Sequence, residues 1–401
     1  MSTMERVMRL MAQKNASDVY LSTQAPITIR VNGECTPVNP QPLPPGAILN
    51  LLLEVLPAAA VDELKTTGEL NTATRLQGIG NYRISALRQR GTYAAVIRFI
   101  SSDIPELSTL NVPPVLSKLI MEKRGLILVT GATGTGKSTT LAAMLDYRNE
   151  RRHGHILTIE NPIEYTFVNK LSIVNQREVG TDTASLEIGL KNALRQAADV
   201  IMIGEIRDQP TMTAAIAYAQ SGHLCVGTMH ANNSYRALNR ILSFYPVEVR
   251  PTLLGDLAAS LKSIVSQRLI PTADGAGRVP AVEILLNSSL VSELIEKGDF
   301  SGIKEAMENS IVEGTQTFEA DIGRLIREKC ITREDGLAFA DSPTNLMWQL
   351  QNGAAPKLKP VLMPKPASKV EAPSFTAISL EMPAIKNKVG NGAPFHSGPA
   401  N

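Results

Sequence analysis

The chain has 401 residues, 43% of them hydrophobic and 19% charged, with a formal net charge of +2. That length leaves room for two domains and a tail. The charge is uneven: from Gln351 onward six lysines face two glutamates, a net +4, which leaves the body at −2 and gives no support for a nucleic-acid track.

The three cysteines, Cys35, Cys225 and Cys330, form no C-x-x-C pair, which fits a reducing cytosol rather than a zinc ribbon. The start lacks the continuous apolar run of a signal peptide, and no stretch approaches the ~18 apolar residues of a membrane span, so any membrane association is expected to run through a partner.

In chain order, residues 1–101 read as a small α+β domain. Met4, Val7, Met8 and Met11 fall at helical spacing in an opening helix over about 3–14. Strands follow over 19–21 and 27–31, then Asn32-Gly33, a hairpin-type turn. Helical regions around 48–56 and 61–65 precede two alternating stretches, 81–88 and 94–100, that read as paired strands. Arg83, Arg88, Arg90 and Arg98 are many for so short a stretch. They either dress a solvated sheet face or reach a neighbouring subunit's nucleotide. Pro105, Pro113 and Pro114 mark a linker over 102–114, and a helix over about 115–123 leads to the next strand.

The run Gly131-Ala132-Thr133-Gly134-Thr135-Gly136-Lys137-Ser138-Thr139 fits the P-loop pattern. An apolar strand, 126–129, precedes it, and a helix through 140–145 follows, as the motif requires. The glycines let successive N–H groups face one centre, and the helix presents its positive end there, so phosphate binds. Lys137 is expected to reach the β- and γ-phosphates of ATP, and Ser138 to hold Mg²⁺.

A second apolar strand, 156–159, runs into Glu160-Asn161-Pro162-Ile163-Glu164, where acidic groups at a strand end suit water activation near the γ-phosphate; the bland alternative is a surface turn. After a helix marked by Leu186, Leu190, Ala193 and Leu194, the stretch 199–205 is a Walker-B-like strand ending in Gly204-Glu205. Gly204 stands at the usual Asp position, so Glu205 is left to orient Mg²⁺ and its waters. The strand 222–230 is flanked by His223 and His230, which satisfy core hydrogen bonds or sense the γ-phosphate. A zinc site would need a third ligand, and none is near in sequence.

From 233 to 350 the pattern is mostly helical. Leu257, Leu261, Ile264 and Val265 predict one amphipathic helix, 274–277 a turn into a strand over 281–286, and 289–297, 302–309, 317–328, 332–339 and 343–350 further helices. The segment 351–401 holds 8 of the 25 prolines and reads as a basic, disordered tail.

Together these residues resemble the secretion and type IV pilus motor ATPases, and within them the retraction motors of the PilT/PilU type. The resemblance runs from about Arg6 to Leu350. It is carried by Ala16-Ser17-Asp18, Ile29-Arg30-Val31-Asn32-Gly33, the P-loop and the box Thr158-Ile159-Glu160-Asn161-Pro162-Ile163-Glu164-Tyr165. Gln176-Arg177-Glu178-Val179-Gly180, Leu194-Arg195-Gln196, Gly204-Glu205-Ile206-Arg207, Gly222-His223, Thr228-Met229-His230-Ala231-Asn232 and Gly314-Thr315-Gln316-Thr317-Phe318 complete it.

The resemblance implies a homohexamer whose subunits have an N-terminal PAS-like domain and a RecA-like ATPase domain (115–350), an α/β P-loop fold. It implies Glu164 as catalytic base supported by Glu160, Glu205 as the Walker B acid, His230 as γ-phosphate sensor, and Arg83 and Arg98 as arginines that reach the nucleotide across or between subunits. The implied cofactors are ATP and Mg²⁺. The implied partners are an inner-membrane platform protein and a second, PilT-like retraction ATPase, with the motor in the cytoplasm at the membrane base of the pilus machine.

Two departures stand out. Asn161 replaces the family's usual Asp, and Leu290-Val291-Ser292-Glu293-Leu294-Ile295 does not match the corresponding motif of PilT proper. Thr135, the 199–204 strand and His223-Leu224-Cys225 are closer to PilU, which points to the accessory retraction motor. The competing readings are an assembly or secretion ATPase, an ATP-binding subunit with little turnover, and a nucleic-acid translocase. The last is disfavoured by the acidic body.

Overall fold

The computed structural model describes residues 2–14, 16–31, 34–76, 79–100, 104–310 and 312–352, which belong to one compact unit. The expected turn at Asn32-Gly33 and the expected tail beyond 352 lie outside the described residues.

The first part begins with α1 (Thr3–Gln13), capped by the Ser2 hydroxyl, which accepts from the Glu5 N–H. Its methionine stripe is buried. Then come β1 (Asp18–Ser22), β2 (Pro26–Val31), β3 (Glu34–Pro42), α2 (Ala47–Leu53), α3 (Ala58–Thr67), β4 (Glu69–Leu76), β5 (Gly80–Gln89) and β6 (Thr92–Ile100). The strands form an antiparallel sheet in the order β3-β2-β1-β6-β5-β4.

Alternation decides its two faces. Val19, Leu21, Ile29, Tyr82, Ile84 and Ile97 pack with Met4, Met8, Leu52 and Leu64 of the helices. The other face carries a row set by register, Arg83 opposite Arg98, Arg98 opposite Asp18, and Asp18 opposite Arg30. In this sheet β3 and β4 escaped the sequence reading, as did the strand Ser172–Glu178 of the second part. The exposed edge strand β3 holds Pro37, Pro40 and Pro42, residues that break a strand pattern yet are tolerated at a sheet edge.

The second part starts with a 3₁₀ turn (Leu107–Thr109), α4 (Val115–Ile120), β7 (Gly125–Thr130), α5 (Lys137–Arg151), β8 (Gly154–Glu160), β9 (Ser172–Glu178) and α6 (Leu186–Ala193). It continues with β10 (Val200–Ile203), α7 (Gln209–Gln220), β11 (Leu224–Met229), α8 (Ser234–Ser243), α9 (Arg250–Ser260), β12 (Leu261–Pro271) and β13 (Arg278–Leu286). The helices α10 (Ser289–Lys297), α11 (Ser301–Glu308), α12 (Phe318–Arg327), α13 (Arg333–Phe339) and α14 (Pro343–Asn352) close it. Among the described residues, no helix is long and apolar enough to cross a membrane.

Its sheet runs β13-β12-β7-β11-β10-β8-β9, parallel except for β13. Apolar clusters cover both faces, one built with α6 to α11 and the other with α4 and α5. That is why β7, β10 and β11 read as unbroken apolar runs.

One expectation is corrected in this sheet. The helix predicted through Leu257, Leu261, Ile264 and Val265 ends at Ser260, and the last three residues lie in β12. Leu257, Leu261, Ile264 and Val265 keep i, i+4, i+7 and i+8 spacing, and the polar residues between them hide any strand alternation.

Parallel strands bring their carboxyl ends to one edge, where loops from several strands meet. That edge collects Thr130 and the P-loop, Glu160, Gly204-Glu205, His230 and the middle of β12.

Candidate functional site

The fully buried β7 delivers the loop 131–136 to the start of α5. Two of its glycines are required, Gly131 by space and dihedral and Gly136 by dihedral. A Cβ on Gly131 (φ +155°) would lie 2.5 Å from Thr135 Oγ1 and 2.6 Å from Gln267 O, and one on Gly136 (φ +83°) 2.8 Å from Gln267 Nε2. No side chain caps α5, so its first-turn N–H groups remain free for an anion.

Lys137 is 8% exposed and folds back over the loop, its Nζ donating to Gly131 O (3.0 Å) and Ala132 O (2.8 Å). Burial pushes its ammonium pKa down, opposed by the charges of Glu205 and Glu164. Thr133 and Gly134 lie exposed at the tip and Ser138 is half-buried. Thr135 Oγ1 donates to Ala132 O at 2.9 Å, and Thr139 Oγ1 shares a 2.8 Å hydrogen bond with Tyr165 OH.

Two residues without an assigned role in the sequence reading stand here. Tyr165 ends the acidic box. Gln267 accepts from Thr140 Oγ1 at 2.8 Å and backs the loop from β12. No sequence signal marks Gln267, because its stretch reads as helix.

At the end of β8, Glu160 is buried and accepts from Thr158 Oγ1 (2.7 Å), Gln176 Nε2 (3.2 Å) and the Glu164 N–H (3.4 Å). Burial pushes its carboxyl pKa up to about 7; the three hydrogen bonds oppose the rise and the charge of Glu164 adds to it. Glu164 itself is exposed. Glu178 Oε2 accepts from the Ile163 N–H at 3.0 Å and fixes the turn between them. The two carboxyls are thus unlike: one sequestered and bonded to its neighbour's backbone, the other open to water.

Space is tight at Gly204, which follows β10. A Cβ on Gly204 would lie 3.1 Å from Glu160 Cα and 3.3 Å from Ile159 O. The acid sits one residue on, at Glu205, whose Oε1 is 3.3 Å from His230 Nε2, both side chains about two-fifths exposed.

His223 is elsewhere. It lies before the amino end of the six-residue β11, its Nδ1 3.0 Å from Ser221 Oγ and its ring edge-on to Tyr218. At roughly 3.3 Å per residue the two histidines are some 20 Å apart, so within one chain only His230 stands with the P-loop.

Arg83 and Arg98 are on the open face of the first sheet. Arg98 Nε donates to Asp18 Oδ1 at 2.9 Å, and Arg30 approaches the other oxygen at 3.9 Å. Among the described residues no hydrogen bond or ion pair links either arginine to 131–139; the contact seen from β5 is Asn81 Nδ2 to Thr166 Oγ1, 3.1 Å, just past the acidic box. No group of three or more His, Cys, Asp or Glu among the described residues could hold a metal alone. Ser138 and Glu205 supply hard oxygens that suit a Mg²⁺ completed by phosphate and water.

A family model described as "Type II/IV secretion system protein" matches residues 2–325. The chain is 45% identical over 350 residues to "Type IV pilus ATPase PilU" of Pseudomonas aeruginosa, covering 87% of this chain and 92% of that one. It is 35% identical over 334 residues to "Type IV pilus retractation ATPase PilT" of the same organism, covering 83% and 97%. Among solved structures, one of the pilus retraction motor PilT with bound ADP superposes with a TM-score of 0.79 at 35% identity, covering 87% of this chain and 99% of that one.

Proposed function

Because the chain belongs to the type II/IV secretion system protein family, we propose that it is an ATP-hydrolysing motor of type IV pilus retraction, of the accessory PilU-like kind. The observation that carries this reading is the meeting of Lys137, Glu160, Glu164 and the Glu205–His230 pair at one sheet edge, in a chain 45% identical to PilU over nearly its whole folded length.

The residues take the following roles. Backbone N–H groups of 131–139 and the start of α5 wrap the phosphates, with Thr133, Gly134, Thr135 and Thr139 on the loop and Lys137 turning from its carbonyl partners to the β- and γ-oxygens. Mg²⁺, held by Ser138 and through water by Glu205, would neutralise charge that develops on the phosphate oxygens. Glu164 takes a proton from the attacking water as the bond from Pγ to the ADP oxygen breaks. Glu160 holds the Glu164 main chain in place. His230, braced by Glu205, registers the presence of the γ-phosphate. Arg83 and Arg98 meet the nucleotide across or between subunits of a homohexamer.

The domain plan follows: a PAS-like domain over 1–101, a linker over 102–114, a RecA-like ATPase domain over 115–350 and a tail over 351–401. Alternation of the two domains with each ATP would turn an inner-membrane platform protein from the cytoplasmic side, beside a second, PilT-like motor. Asn161, uncharged where the family carries Asp, favours a second reading in which the subunit binds ATP and turns it over little by itself.

Steady-state ATPase activity of the purified chain tests the proposal, with Lys137→Ala as blank. Turnover abolished by Lys137→Ala and by Glu164→Gln is expected; ATP binding without turnover in the unaltered protein selects the second reading. In cells, deletion of the gene should impair surface motility while leaving pili visible, and cells without pili would point to assembly instead.

A further inference from the structure

Three consecutive residues of β12 face three parts of the molecule. Ser266 Oγ accepts from Thr130 Oγ1 at 3.0 Å. Gln267 backs the P-loop. Arg268 reaches away from the loop and is only 16% exposed. Its Nη2 donates to Asn232 O at 3.1 Å and pairs with Asp341, its Nη1 donates to Phe339 O, and its guanidinium lies 3.8 Å from the ring centroid of Phe318.

The neighbours of Asn232 are gripped by the same surroundings. Asn233 Nδ2 donates to Asp341 Oδ2 at 2.8 Å. Ser234 donates through both N (2.7 Å) and Oγ (2.8 Å) to Glu283 Oε1. The segment 232–234 begins two residues after His230, so its position sets where the imidazole can stand.

The run Gly314 to Phe318, which the nucleotide chemistry does not use, supplies the platform. Gln316 exchanges main-chain hydrogen bonds with Ile284 (2.8 and 3.1 Å), and its Nε2 donates to Val282 O at 2.7 Å. Thr317 caps α12. Phe318 is thereby fixed, fully buried, against the guanidinium. Only arginine can stack on a ring while forking its N–H groups to two carbonyls and a carboxylate; lysine cannot. A mostly buried ion pair adds little to stability compared with apolar packing, so such a cluster is better explained by placement.

We propose that Arg268 is a positioning residue for His230: with Phe318 and Asp341 it fixes the segment after His230, so that the imidazole stays against Glu205 and the packing of α12 to α14 is felt at the nucleotide. This rests on the reading of His230 as the γ-phosphate sensor.

The test measures kcat, KM for ATP and melting temperature of the full chain carrying Arg268→Lys or Arg268→Gln, each with and without His230→Ala. Arg268→Lys, which keeps charge beside Asp341 but loses the fork and the stack, should lower kcat about tenfold with KM changed less than about twofold. In the His230→Ala background the further loss should be below about twofold, because the two act through one group. An unchanged kcat, or the same tenfold loss in both backgrounds, overturns the proposal while leaving His230 its role. Wild-type turnover in His230→Ala overturns the sensor reading and the proposal with it. Should Arg268→Gln fail to fold, the lysine variant decides; if neither folds, the cluster is structural and the proposal is overturned.

Discussion

The molecule contains two large sheets with opposite habits. The antiparallel sheet of the first part buries one face and leaves the other open, where Arg83, Arg98, Asp18 and Arg30 line up by register. The mainly parallel sheet of the second part is covered on both faces and exposes chemistry only at its strand ends. Parallel pairing forces the ends of β7, β8, β10 and β11 to one edge, so groups separated by up to a hundred residues meet there. The antiparallel sheet here keeps one face open, and its register sets the charged row across that face. One sheet assembles its polar groups at strand ends, whereas the other lines them up across a face.

The largest expected effects test the strand-end edge. Glu164→Gln should lower kcat by about 10²–10⁴-fold and leave ATP binding intact, as removal of a general base does. Glu160→Gln keeps the hydrogen-bonding shape of a buried, readily protonated carboxyl, so its loss should be smaller, roughly tenfold. Equal losses, read by steady-state kinetics and nucleotide titration, would erase the distinction drawn between the two carboxyls.

The two ends of β11 come next. His230→Ala should reduce turnover roughly tenfold or more through loss of a group beside Glu205. His223→Ala, at the other end, should leave the turnover of the unassembled chain within about twofold. A large loss from His223→Ala in the assembled protein alone would mean that it reports to a neighbour's site.

A third test uses pH. Burial pushes the carboxyls of Glu160 and Glu283 up to about 7 from an ordinary 4.5. Between those values the folded protein holds protons that the unfolded chain has released, so the contribution of these two groups to stability should fall as pH rises from about 4.5 to about 7, by up to about 3 kcal/mol for each. Glu283→Gln should flatten that slope in chemical denaturation; a slope unchanged by the substitution would show that the carboxyl ionises normally.

Much of the second sheet was legible because its strands are short, apolar on both faces and followed at once by residues of special type. The P-loop pattern needs eight contiguous residues, and Glu160, Glu205 and His230 each stand at or within two residues of the end of a buried strand. β12 was not legible because, unlike its neighbours, it mixes polar and apolar residues along its length. Its polar residues Lys262, Ser263, Ser266, Gln267 and Arg268 break both an apolar run and a strict alternation, while Leu257, Leu261, Ile264 and Val265 keep helical spacing across the junction at Ser260. The roles of Gln267 and Arg268 were hidden with it, since they arise from the register of β12 against β7 and β13, a non-local property. In the first sheet the row of arginines could be counted but not aligned. Only the pairing of β5 with β6 and of β6 with β1 turns scattered residues into a line with Asp18 inside it.

That line carries the smallest and most discriminating prediction. Arg98 is bonded to the buried carboxylate of Asp18, whereas Arg83 stands exposed. Arg98→Ala should therefore cost about 1 kcal/mol, softened because Arg30 still faces Asp18 at 3.9 Å. Arg83→Ala should stay within about 0.5 kcal/mol, as for most exposed substitutions. If the open face only meets solvent, turnover follows stability and neither variant loses much. If it meets a neighbour's nucleotide, both lose turnover in the assembled protein, and Arg83→Ala does so with an unchanged melting temperature. The second pattern is the expected one. A charged face with a free arginine beside a neutralised one is what an antiparallel sheet can offer to another subunit, and wild-type turnover in Arg83→Ala would return that face to solvent.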